Sequence, residues 1–117
     1  MTENNPGYSK RVALATGTIA NGATYQSETF ALGAYGRIVG VLQCDKAVTA
    51  KIYQGPTEAA PGRASESWTS TGNADFGAGD LFSHLIRVPE GYGQIRLTNS
   101  SGATATFELT IGLTRAH

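Results

Sequence analysis

The sequence predicts an all-β protein, an eight-stranded antiparallel β-sandwich, with a jelly roll placed ahead of an immunoglobulin-like fold. Three observations carry this. No window has helical periodicity; apolar residues come instead in short runs bounded by Gly, Pro, Asn and Asp, the pattern of an all-β domain. Residues 103–114 alternate Ala103, Ala105, Phe107, Leu109, Ile111 and Leu113 with Thr104, Thr106, Glu108, Thr110, Gly112 and Thr114, a period of two. Eight such runs fit in 117 residues, which suits two stacked sheets. An immunoglobulin-like sandwich suits seven strands and a Cys…Trp…Cys framework, and this chain has one cysteine.

Residues 1–8, with Asn4, Asn5, Pro6, Gly7 and Tyr8, read as a flexible N-terminal arm, and residues 9–117 as one sandwich domain. The first strand spans about residues 10–20, with Val12 and Leu14 leading one face. Asn21-Gly22 then signals a type I′ hairpin, because both residue types accept a positive φ. Its expected partner covers residues 24–32. Residues 37–44, RIVGVLQC, are nearly continuous in apolar character, as in a central strand covered on both faces. After a turn at Asp45-Lys46, residues 48–54 set Val48, Ala50 and Ile52 against Thr49, Lys51 and Tyr53. Two prolines keep residues 55–64 out of a central ladder, and a short strand surrounds Trp68. A glycine-rich loop at 72–80 precedes strands at 81–88 and 92–99, joined through Pro89-Glu90-Gly91. Asn99 to Gly102 turn into the final strand.

Composition removes several functions. Nine basic residues balance nine acidic ones, and no basic run exceeds Lys10-Arg11, so no nucleic-acid partner is expected. No stretch approaches the ~20 apolar residues of a membrane span, and the N-terminus has no apolar signal core. Neither a membrane partner nor export is expected. Cys44 lies in the RIVGVLQC run and reads as a small core hydrophobe.

Residues for chemistry are scarce. His84 shares the parity of Phe82 and Ile86, which makes it a structural histidine on an inward or inter-subunit face. Ser83, His84 and Asp80 compose a triad only on paper. Adjacent strand residues point to opposite faces, and no Gly-x-Ser-x-Gly elbow occurs. His84 and His117 are too few for a three-histidine metal site. Cupins are metal jelly rolls, but the chain resembles their pattern only at Pro89-Glu90-Gly91. Gln94 stands where a metal histidine would, and His-x-His is absent. Asp75 and Asp80 flank a loop that reads as solvated Asx turns, with ion binding there left open. Asn99-Ser100-Ser101 fits the glycosylation pattern but, with no signal peptide expected, reads as a turn instead. No catalytic residue, metal or cofactor is assigned. Tyr53 and Trp68, flanking the 55–64 loop, are the candidates for stacking on a glycan, provided they lie together and exposed.

Two stretches resemble small β-sandwich virion proteins of tailed bacteriophages. In RIVGVLQCDKAVTAKIYQGP an apolar strand leads through a charged turn to a strand with a polar tip, followed by Trp68. In GYGQIRLTNSSGATATFELTIGL, Gln94-Ile95-Arg96-Leu97-Thr98-Asn99 precedes a Ser/Gly turn and an alternating strand. The likeness covers residues 9–114; the PTEAAPGRASES linker is longer than usual in such proteins, and the last strand lacks an aromatic ending. It implies a non-enzymatic capsid decoration or cement protein, resident in the virion and assembled in the host cytoplasm. The implied partners are its own copies, as a homotrimer, and the major capsid protein. Asn4, Asn5, Pro6, Gly7 and Tyr8 would then contact a neighbour or the shell. The alternative is a carbohydrate- or ligand-binding sandwich, possibly tail-associated, using Tyr53 and Trp68.

Overall fold

In a computed structural model of the chain, residues 9–59, 61–70 and 80–115 are described. Nine strands account for most of them: β1 (Ser9–Ile19), β2 (Thr24–Gln26), β3 (Phe30–Ala31), β4 (Arg37–Cys44), β5 (Val48–Gly55), β6 (Arg63–Ser70), β7 (Asp80–Leu85), β8 (Tyr92–Asn99) and β9 (Ala105–Thr114). All pairings are antiparallel. Sheet A runs β1-β9-β4-β7; sheet B runs β2-β8-β5-β6, with β3 also on β8.

Because β5 pairs with β8 along its whole length, β2 and β3 must share the opposite edge of β8. They are one interrupted strand. Counted so, the eight strands are wound 1-8-3-6 and 2-7-4-5, the two-Greek-key order of a jelly roll. The interruption is a bulge: residues 27–29 face only Gln94 and Ile95 between flanking pairs Gln26↔Arg96 and Phe30↔Gly93. Ser27 repairs the ladder. Its N–H donates to Ile95 O, and its Oγ accepts from Ile95 N at 2.9 Å, doing the work of a carbonyl.

The alternating stretch at 103–114 becomes β9, flanked by β1 and β4, so neither of its edges is open. Ala105, Phe107, Leu109, Ile111 and Leu113 are buried, while its threonines, Glu108 and Gly112 line the outer face. The core between the sheets adds Leu32, Ile38, Leu42, Val48, Ala50, Ile52, Ile95 and Leu97. Glycines set the closest approaches. A Cβ on Gly40 would overlap the Thr110 carbonyl oxygen and come within 2.6 Å of the Phe82 ring.

Three expectations are corrected. Asn21-Gly22 does not close a hairpin, because β1 belongs to sheet A and β2 to sheet B. Only Gly22 has a positive φ, 86°, and Ala23 N donates to Ala20 O, so the turn carries the chain across the core. The partner strand at 24–32 is split by the Ser27 bulge. And β4 is covered on one face only: Ile38, Leu42 and Cys44 are buried, while Arg37, Val39, Val41 and Gln43 are half-buried on the outside. In a two-layer sandwich nothing else in the chain packs over that outer face among the described residues.

Two buried amides pin the ends of the sandwich. Asn99 Nδ2 donates to Ile19 O and Ala103 O, while its Oδ1 accepts from Ser101 N and Oγ. Its backbone joins Gly22 N and Ala23 O, so one residue ties the β1–β2 crossing to the β8–β9 turn. At the opposite end Gln54 Nε2 donates to Leu85 O, and Oε1 accepts from Arg87 N and Val88 N. That clasp ends β7 at Leu85, where the apolar run continues to residue 88.

Candidate functional site

Alternation within each strand and register between strands decide where every candidate side chain goes. On β6, Trp68 pairs with buried Ala50 and shares its inward direction. Its ring lies 5.0 Å from Phe82 and 4.8 Å from His84, both on β7 of the facing sheet. His84 is thus the inward residue its parity indicated, part of an aromatic layer between the sheets. The buried Trp68 Nε1 has no hydrogen-bond partner among the described residues. Cys44 is fully buried, with Sγ 3.2 Å from Ser70 Oγ, a core position.

Tyr53 points the other way. It stands on the outer face of sheet B, so Tyr53 and Trp68 lie on opposite faces of one sheet and form no common platform. The companion of Tyr53 is Arg96, whose Cζ sits 3.8 Å from the ring centroid, a cation–π contact. Arg96 Nε also donates to Gln94 Oε1 at 2.9 Å, which fixes the guanidinium over the ring. Gln94 is itself held by Nε2 donating to Ser27 O.

Register extends this surface in rows. Lys51 is paired directly with Arg96, so two cations stand side by side on the outer face, with Gln26 beyond Arg96 and Ser67 beyond Lys51. The next row is threonine on every strand: Thr24, Thr98, Thr49 and Thr69, with Thr24 and Thr98 hydroxyls 3.0 Å apart. The adjoining acid, Glu28 of the bulge, acts elsewhere. Burial first, and the Glu28 charge second, push the Tyr25 hydroxyl above its ordinary 10.0. Tyr25 in turn packs 4.7 Å from Phe107 in the core rim.

The outer face of sheet A differs. Leu81 and Leu85 on β7 are 81% and 42% exposed, and Val41 lies between Leu81 and Thr110 in register. Val39 lies between Ser83 and Gly112. Ser83 serves structure: its Oγ accepts from Arg37 Nε at 2.7 Å and its carbonyl from Arg37 Nη2 at 3.1 Å. Ser83 and His84 point to opposite faces, and no triad geometry arises.

Among the described residues no group of three or more His, Cys, Asp or Glu gathers for a metal. Asn4, Asn5, Pro6, Gly7 and Tyr8, together with Asp75 and His117, lie outside the described residues, as does the side chain of Asp80. Sequence reasoning missed Arg96 and Lys51 as neighbours of Tyr53. Alternation placed Lys51 and Tyr53 on one face, but only the β5–β8 register brings Arg96 beside them. It also missed Leu81 and Leu85, because LFSHLI carries apolar residues on both parities.

No family model matches the chain, and no curated protein matches it. Among solved structures it is similar to CsCBM6-3 from Clostridium stercorarium in complex with cellobiose, at 14% identity and a TM-score of 0.52, covering 97% of this chain and 86% of that one. It is similar to PirA at 13% identity and a TM-score of 0.51, covering 95% and 97%. A protein of the disulfide-linked pili that form Bacillus endospore appendages matches at 19% identity and a TM-score of 0.48, covering 99% and 98%. At such identities the first two likenesses are of fold, and that shared fold is the β-sandwich.

Proposed function

We propose that the protein is a non-enzymatic structural subunit of a bacteriophage particle, a capsid decoration or cement protein. In this role it stabilises the shell through contacts with its own copies, as a trimer, and with the major capsid protein. The observation that carries the reading is the apolar strip on the outer face of sheet A. Leu81 at 81% exposure, Leu85, Val39 and Val41 lie together on neighbouring strands β7 and β4. A leucine left this open forgoes about 2 kcal/mol of burial, which a subunit contact recovers. The resemblance of residues 9–114 to phage virion sandwiches supports the choice of particle.

Light scattering after gel filtration, over a dilution series, tests the assembly. A trimer that survives dilution is expected, and Leu81→Lys with Leu85→Lys should reduce it to monomers that keep the wild-type far-UV circular dichroism spectrum, with Tm lowered only by the lost association. A wild-type protein that is monomeric at every concentration overturns the reading. A second reading, a carbohydrate-binding module, is supported by the outward Tyr53–Arg96 pair and by a fold shared with a module solved with cellobiose.

A further inference from the structure

The outer face of sheet B gathers Lys51 and Arg96 in a protein whose nine basic and nine acidic residues cancel overall. Its outward positions include Thr24 and Gln26 on β2, Ala31 on β3, Tyr92, Gln94, Arg96 and Thr98 on β8, Thr49, Lys51 and Tyr53 on β5, and Ala64, Ser67 and Thr69 on β6. Among these positions two are cations and none is an acid, with the exposed Glu28 of the β2–β3 bulge at the edge of the sheet. Like charges directly opposed across a ladder are unfavourable, and here Lys51 and Arg96 are direct partners. A sheet needs no such pair for stability. An anion bridging the two side chains neutralises that repulsion.

We propose that this face binds an acidic, carboxylate-bearing polysaccharide, deepening the second reading above and resting on it. Charge complementarity selects an anion. The rest of the surface selects a saccharide: a row of threonine hydroxyls crosses β2, β8, β5 and β6, and the phenol ring of Tyr53 adjoins the cations. Hydroxyls meet hydroxyls along the row, while a sugar carboxylate bridges Lys51 and Arg96. Arg96 is already oriented by Gln94 and by the Tyr53 ring, so little freedom is lost when it engages. The Lys51 side chain is exposed and supplies the second charge.

The test is titration calorimetry with three polymers: polygalacturonate, its fully methyl-esterified neutral form, and poly-L-glutamate. Polygalacturonate alone should bind, weakening about fivefold between 50 and 250 mM NaCl as screening increases. Lys51→Gln and Arg96→Gln should each weaken it about fivefold, and Lys51→Glu should abolish it. Lys46→Gln, at the β4–β5 turn, should change nothing. Unchanged melting of the Lys51 variants confirms that the fold persists. Equal binding of the methyl ester overturns the inference and leaves sugar binding standing. Equal binding of poly-L-glutamate overturns it in favour of an acidic protein partner. If neither galacturonate polymer binds, the inference is overturned, and titration with a neutral β-glucan then decides the second reading separately.

Discussion

Glu90 has a φ of 62°, the left-handed region that side chains with a Cβ enter at a cost. It sits third in a turn begun by Val88-Pro89 and closed by Gly91 N donating to Val88 O, where glycine is the preferred residue. Glu90→Gly should raise stability by roughly 0.5 kcal/mol, with Tm up by about 3 °C, the relief of strain exceeding the added freedom of the unfolded chain. Thermal unfolding checks it. Tyr25 makes a pH-dependent contribution. Its hydroxyl pKa is raised by burial and by Glu28, so folded and unfolded chains both hold the proton below pH 10. Above that, the unfolded chain releases it first, and stability falls as pH rises. Urea midpoints at pH 9 and pH 10.5 should show this loss, and Tyr25→Phe should flatten it.

At the scale of elements, close approach and open edges matter most. β4 and β9 meet where Gly40 faces the Thr110 carbonyl and the Phe82 ring, with no room for a methyl group. Gly40→Ala should destabilise the fold by about 3 kcal/mol, read as a lower urea midpoint at an unchanged slope. β7, an outer strand of sheet A, is guarded by Arg37, which occupies both the hydroxyl and the carbonyl of Ser83; a charged side chain along an edge discourages further strand pairing. Much of this was legible beforehand. The inner faces of β5 and β9 follow from alternation alone, and His84 was placed by parity with Phe82. Legibility stopped where partners are distant. Asn21-Gly22 has the local chemistry of a hairpin, yet β9 supplies β1 with a partner some ninety positions away in the register, and no local signal reports that. The Tyr53–Arg96 pair was hidden for the same reason, and the Ser27 bulge because a serine replacing a carbonyl looks like any polar strand residue.

For the molecule as a whole, Trp68 reports whether the two layers are joined. It belongs to sheet B and packs on Phe82 and His84 of sheet A, so its emission follows separation of the sheets, while far-UV circular dichroism follows the ladders. With Asn99 and Gln54 clasping opposite ends, the two should be lost in a single transition with coincident midpoints in urea. An earlier shift in Trp68 emission would mean that the layers part before the strands dissolve. The pairing of β1 with β9 also governs how the protein is made. Ser9 meets Thr114 at one end of that ladder and Ile19 meets Ala105 at the other. On the ribosome, β1 therefore emerges long before its partner exists, and β4 waits for the same strand. Sheet A closes only once residue 114 has cleared the exit tunnel, so a chain stalled before β9 leaves the inner face of β4 without its central neighbour.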